Sequence, residues 1–177
     1  MTTGNKNERI AYPQLPDFIS TDVLKTLYTP WRDEIAWAVE VTRSEKTRLG
    51  LLVLLKVFDA LGRFIAAKDI PHEIIRHIAI SADLVERDHL VYSKRTLARH
   101  YRLIRDFLGV REWGTDAREV AEKTMTQIVA SRTQPADLIN GAIDVLIRER
   151  FELPALSTLR RMAGIVQQRT NDGLFDF

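Results

Sequence analysis

The chain has no cysteine, which removes disulfides, thiolate nucleophiles and cysteine-bound metal centres and suits a reducing compartment. Glycine is scarce at eight residues, and none of them builds a Gly-rich phosphate loop, a dinucleotide fingerprint or a Gly-x-Ser-x-Gly elbow. Long apolar runs are missing as well. The most apolar stretch, residues 49–55, is bracketed by Arg48 and Lys56. It falls far short of the roughly 20 residues that a bilayer-spanning helix needs. The first nine residues are polar and lack the apolar segment of a secretory signal. No segment alternates apolar and polar residues between hairpin turns, so strands are not expected. Together these absences predict a soluble intracellular protein with no membrane partner.

What is present is helical periodicity. A hydrophobic content of 45% is enough for a core without covalent help. Residues 1–19 are polar or proline-marked and read as a flexible arm that Tyr12, Leu15 and Phe18 would dock. A short helix follows, capped by Ser20 or Thr21. Thr29-Pro30 predicts a second, with Thr as N-cap and Pro in the first turn. Ser44-Glu45 opens a third, apolar almost all round from Leu49 to Leu61, as in the buried central helix of a bundle, and Gly62 ends it. Ile70-Pro71 starts a fourth. A charged loop over 83–92 leads to a fifth. Thr115-Asp116 and Gln134-Pro135 open the sixth and seventh. Pro154 is expected at the first position of an eighth, whose tail frays from residue 172. The expected fold is all-α, a multi-helix bundle of about eight helices with helix-turn-helix-like units. Its predicted subdomains span 20–113 and 114–171.

Charge is nearly balanced overall, +2, but it is unevenly distributed. Residues 1–92 hold 12 basic and 13 acidic side chains, residues 114–177 hold 8 and 9, and residues 93–113 hold 6 and 2. The positive excess therefore sits in one segment, the fifth helix. Ser93 is its N-cap candidate and Gly109 its C-cap. Leu97, Tyr101, Ile104 and Leu108 form an apolar stripe. Arg95, Arg99 and Arg102 line the opposite side, flanked by Lys94 and Arg105, with His100 between the two faces. Periodicity alone fits a solvated face as well as an anion-binding one.

Catalytic constellations are not found. His72 and His77 stand at i and i+5, about 140° apart on a helical wheel, where the zinc helix needs i and i+4. Asp83, Glu86 and Asp88 cluster in the charged loop without calcium-loop spacing. The expectation is a protein that is not an enzyme and that uses no metal or cofactor. Binding remains. Helix, turn, helix with cations early in the second helix is how many DNA readers are built. Two places qualify: the fifth helix, despite the long loop before it, and the helix after Pro154 with Ser157, Arg160 and Arg161 exposed. Antiparallel helices with short loops produce the same pattern.

Four blocks occur in order along the chain: Arg48-Leu49-Gly50 to Leu61-Gly62-Arg63-Phe64; Ile70-Pro71 with its helix; Thr96-Leu97-Ala98-Arg99-His100-Tyr101-Arg102-Leu103-Ile104-Arg105 through Gly109-Val110-Arg111-Glu112-Trp113; and Leu146-Ile147-Arg148-Glu149-Arg150-Phe151-Glu152-Leu153-Pro154-Ala155 to Thr158-Leu159-Arg160-Arg161. In these blocks the chain resembles the N-terminal region of the large replicative transposases of the Tn-three family of bacterial transposons. The resemblance implies a helical region that binds terminal inverted repeats, in a bacterial cytoplasm next to the nucleoid. It places strand transfer in a C-terminal acidic-triad domain, expected to be absent from these residues. Asp83, Glu86 and Asp88 do not match that triad. Leu51-Leu52 stands where the family pattern has Phe-Ala, a packing difference. The implied partner is double-stranded DNA at transposon ends, contacted by Lys94, Arg95, Arg99, His100, Arg102 and Arg105, with Ser157, Arg160 and Arg161 as a second contact. The competing expectation is an interaction module that binds itself or a full-length transposase, as an exposed stripe with Trp31 or Trp37 would favour.

Overall fold

A computed structural model describes residues 9–131 and 134–175. Among them lie eight α-helices, one 3-10 turn and no named strand, so the fold is an all-α multi-helix one. No helix of these residues is long and apolar enough to cross a membrane. The chain divides into two units, one formed by residues 13–109 and the other by 1–12 with 110–177.

The first unit holds α1 (Thr21–Leu27), α2 (Arg32–Val41), α3 (Glu45–Leu61), α4 (His72–Ser81) and α5 (Lys94–Leu108), with a 3-10 turn at Ala67–Asp69. It is organised around α3. Every residue of α3 from Leu49 to Phe58 is buried, because α2, α4 and α5 all pack on it. Ser44 caps α3 by accepting the Thr47 amide, and Gly62 stops it at φ 70°, a left-handed conformation that glycine takes without penalty. Gly50 lies inside α3 for a different reason. A methyl group there would run into the Tyr92 hydroxyl, so the glycine is what lets Tyr92 lie against the helix.

The start of α2 departs from the sequence reading. The helix begins two residues later than Thr29-Pro30, with Trp31 as its N-cap. The Glu34 carboxylate accepts the Trp31 amide at 2.7 Å, while the Thr29 hydroxyl is drawn away to His77 at 2.8 Å. Glu34 is itself buried and paired with buried Lys56, 3.2 Å away on α3. Phe18, expected to dock the N-terminal arm, is 82% exposed.

The second unit is a three-helix assembly of α6 (Thr115–Val129), α7 (Pro135–Arg148) and α8 (Leu156–Phe175). Its core joins Ala117, Ala121 and Met125 to Leu138, Ile139, Ala142 and Leu146, and to Leu159, Ala163 and Val166. Small residues on α6 and α7 allow a close approach. At Gly141 a methyl group would meet the tip of Ile128. Residues 9–12 belong here: Ala11 donates its amide to Asn140 at 2.8 Å, and the Tyr12 hydroxyl donates to the Pro154 carbonyl at 2.7 Å. The sequence reading put 110–113 with the first subdomain. In the structure Arg111 exchanges backbone bonds with Arg150 and Glu152, and its guanidinium lies 3.8 Å from the Phe151 ring centre. One expectation about α8 needs correction, because it starts two residues after Pro154. The helix runs to Phe175, and residues 176–177 lie outside the described set.

Candidate nucleic-acid interface

Helix α5 forms where its caps place it. The Ser93 hydroxyl accepts the Thr96 amide at 3.2 Å, and Gly109 closes the helix at φ 64°. Its inward face buries His100 and Ile104 completely, with Leu97, Tyr101 and Leu108 half-buried. Two aromatic stacks clamp it. Tyr101 lies on Phe64 with ring centres 3.8 Å apart, and Phe107 lies on Trp37 at 4.3 Å. The outward face is thus carried by a helix whose rotation is fixed.

That outward face holds the cations. Helix α5 has five basic side chains against the single acid Asp106, a net +4. Lys94, Arg95 and Arg102 are exposed and make no ion pair among the described residues. Lys94 and Arg95 also occupy the first two positions of the helix, and no acid lies in its first turn. Cations there oppose the helix dipole, at a cost of about 0.3–1 kcal/mol each. Their placement works against helix stability and concentrates positive potential where amide donors already point outward.

The other expected contacts divide. Arg99 is exposed, yet one guanidinium nitrogen donates to the Val41 carbonyl at 3.1 Å, holding an end-group of α2. Arg105 is half-buried with its guanidinium 5.2 Å from the Phe64 ring centre, over the aromatic stack. His100 as a phosphate contact on an open face is corrected by burial. Its ring has no exposed surface, and Nδ1 lies 2.9 Å from the Tyr92 hydroxyl. Burial, then the neighbouring Arg99 charge, pushes its pKa down to about 4, so it is neutral at pH 7. Burial holds the Tyr92 hydroxyl far above the ordinary tyrosine range, so it keeps its proton.

On the second unit Ser157, Arg160 and Arg161 are exposed in the first two turns of α8, opposite the buried Leu159, Met162 and Ala163. Two of the remaining histidines and two of the loop acids have structural partners. His77 meets Thr29, His72 Nε2 lies 3.9 Å from Asp88, and Glu86 pairs with Arg76 at 3.5 Å.

Sequence reasoning missed the turn before α3. There Arg43, Ser44 and Thr47 line a groove that also touches Thr96, Arg99 and His100 of α5. A signal existed: Arg43, Lys46 and Arg48 crowd around the N-cap Ser44. Their proximity to α5 needed the fold.

The family described as Domain of unknown function (DUF4158) matches residues 5–166. The chain is also similar to a protein described as the transposase for transposon Tn1546, from Enterococcus faecium. The two are 26% identical over 172 residues, which cover 96% of this chain and 17% of that protein. The chain thus spans about a sixth of the length of the curated relative it matches.

Proposed function

From the premise that this chain belongs to the DUF4158 family and is related to a transposase, we propose that it is a DNA-binding module for transposon ends. In this reading it takes up double-stranded DNA at terminal inverted repeats, while strand-transfer chemistry resides elsewhere in the transposition machinery. The observation that carries the reading is the exposed row Lys94, Arg95 and Arg102 on a rigidly seated helix. Two of the three stand where only an anion partner offsets their cost to the helix. Arg99 and Arg105 add charge to the same face, though each also holds a structural contact. Phosphate contacts of this kind fix register and orientation, whereas sequence is read on base edges. The α7–α8 pair supplies a candidate reader, with Ser157, Arg160 and Arg161 early in its second helix. Its connection runs from 149 to 155, longer than the three or four residues of the standard helix-turn-helix.

A mobility-shift titration tests the proposal. An inverted-repeat duplex should bind in preference to a random duplex of equal length. Equal affinity for both removes the end-specific form, and no binding to either removes the DNA reading.

One observation favours a second reading, association with itself or with a full-length transposase. Trp31 is 67% exposed and Leu27 of the neighbouring helix is 47% exposed. Trp37 does not contribute, because it is stacked on Phe107. Light scattering separates the two: a concentration-dependent oligomer that Trp31→Ala dissolves and duplex leaves unchanged favours association.

A further inference from the structure

We propose that the loop between α4 and α5 is a second DNA-contacting element, in which Arg87 and His89 act with Lys46 of α3 on the duplex that α5 holds. The inference rests on the DNA reading above and adds an element to it. By its composition the loop is a poor candidate. Residues 83–92 hold three acids against one arginine, a net charge of −2. The fold sorts these charges by side. Acids and bases alternate along Glu86-Arg87-Asp88-His89, in a segment that is neither helix nor strand. The acids are taken up by α4: Glu86 pairs with Arg76 at 3.5 Å, and Asp88 lies 3.9 Å from His72. The bases go to the other side, where Arg87 and His89 line a cleft against Lys46, Thr47 and Gly50 of α3. Among the described residues no acid lines that cleft. A loop that is acidic in sum therefore presents a cationic edge.

The loop is also pinned where it enters α5. Tyr92 lies against Gly50, at a point where an added methyl group would collide with its hydroxyl. That hydroxyl lies 2.9 Å from His100 Nδ1, and the two rings meet edge to face at 5.2 Å. Tyr92 thus ties the loop to α3 and to α5 at once, one residue before the N-cap Ser93. Glycine inside a helix costs about 1 kcal/mol against alanine, and at Gly50 that cost sets the position of the loop. Cations held in place lose less freedom on binding than cations on a loose loop. Lys46 and Arg87 are exposed, and their side chains make no ion pair or hydrogen bond among the described residues. His89, also exposed, offers a ring N–H in either protonation state. The partner that suits this edge is the one that suits the start of α5. Lys94 and Arg95 follow Tyr92 by two and three residues, so the two sets of cations adjoin. A duplex backbone, with one charge per about 1.7 Å of axis, rewards cations spread along a line in this way.

The test is a duplex-binding titration of the whole chain at several salt concentrations. Lys46→Ala combined with Arg87→Ala should lower affinity about tenfold or more. The pair should make the dependence of log K on log salt shallower by about 1.8, while the melting temperature stays put. A second variant exchanges neighbours, Glu86→Arg with Arg87→Glu. It keeps the net charge, moves the cation to the α4 side, and should also lose affinity. Unchanged affinity and slope in the first variant overturn the inference; the DNA reading survives that result if replacing Lys94, Arg95 and Arg102 still weakens binding. An exchange variant that binds like the unaltered chain overturns it as well, because the placement of charge would then not matter. If the unaltered chain binds no duplex, the inference and the DNA reading fall together.

Discussion

Helices α5 and α8 both expose arginines, but they are held differently. Helix α5 is held by specific aromatic and polar partners: Tyr92 on His100, Trp37 on Phe107, Phe64 on Tyr101 and Arg99 on the Val41 carbonyl. Helix α8 sits on a plain apolar face of Leu159, Met162, Ala163 and Val166, and among its arginines the late Arg169 is committed, to Glu122 at 2.6 Å. The difference teaches that a cation's position on a helical wheel does not reveal its job. On α5 two of the five basic side chains also support the fold, whereas Arg160 and Arg161 of α8 make no hydrogen bond or ion pair among the described residues.

The largest effect should come from stripping each helix in turn. Replacing Lys94, Arg95 and Arg102 together by Ala should weaken duplex binding at fixed salt by about 100-fold or more, equally for inverted-repeat and random DNA. Replacing Arg160 and Arg161 should reduce the preference for the inverted repeat, by about 1–3 kcal/mol for each base edge no longer read, with less change on random DNA. Equal loss of preference from both variants would erase the division of labour.

Acid should separate the two units. All four histidines lie in the first unit. The His100 pKa is lowered to about 4, so between about pH 6.5 and 4 the unfolded chain binds a proton that the folded chain refuses. Stability is complete above that window, falls through it as pH drops, and levels out below, a loss of about 3 kcal/mol. His77, lowered by burial and then by Lys25, acts in the same direction. Hydrogen exchange at pH 7 and pH 4.5 should show protection lost first around α3 and α5. Equal loss from α6, α7 and α8 contradicts this.

A glycine pair sharpens the contrast. Alanine is the better helix former by about 1 kcal/mol, yet at Gly50 it displaces Tyr92 from His100. Gly50→Ala should cost about 2 kcal/mol net, read as a lowered melting temperature. At Gly141 the obstacle is the flexible end of Ile128, so Gly141→Ala should cost less.

The smallest effects have opposite signs on one face. Arg99→Ala loses the bond to Val41 and should destabilise by about 0.5–1 kcal/mol. Arg95→Glu places an acid in the first turn of α5 and should stabilise by a similar amount, while duplex binding falls. Urea melts of the two variants decide it.

Much of this architecture was legible in the sequence, for local reasons. Ser93 and Gly109 bound α5 because a hydroxyl cap and a left-handed stop act within one turn. The unbroken apolar run of α3 signalled a helix packed on several sides. What was not legible depends on distant partners. Thr29 looked like the cap of α2, but His77 takes its hydroxyl and Glu34 caps the amide of Trp31 instead. Nothing local marks Glu34 and Lys56, 22 residues apart, as a buried pair. His100 stood between two faces on the wheel; its burial depends on Tyr92, whose place depends on Gly50. The groove before α3 was invisible for the same reason, since Thr96, Arg99 and His100 of α5 form part of its wall.

The salt dependence of binding tests the central claim most directly. If Lys94, Arg95, Arg99 and Arg102 each meet a phosphate, log K for an inverted-repeat duplex should fall against log salt with a slope of about −3.6 from α5. Removing the three exposed cations of α5 should bring that share to about −0.9. A slope unchanged by their removal would place the DNA contact elsewhere on the molecule and contradict the account.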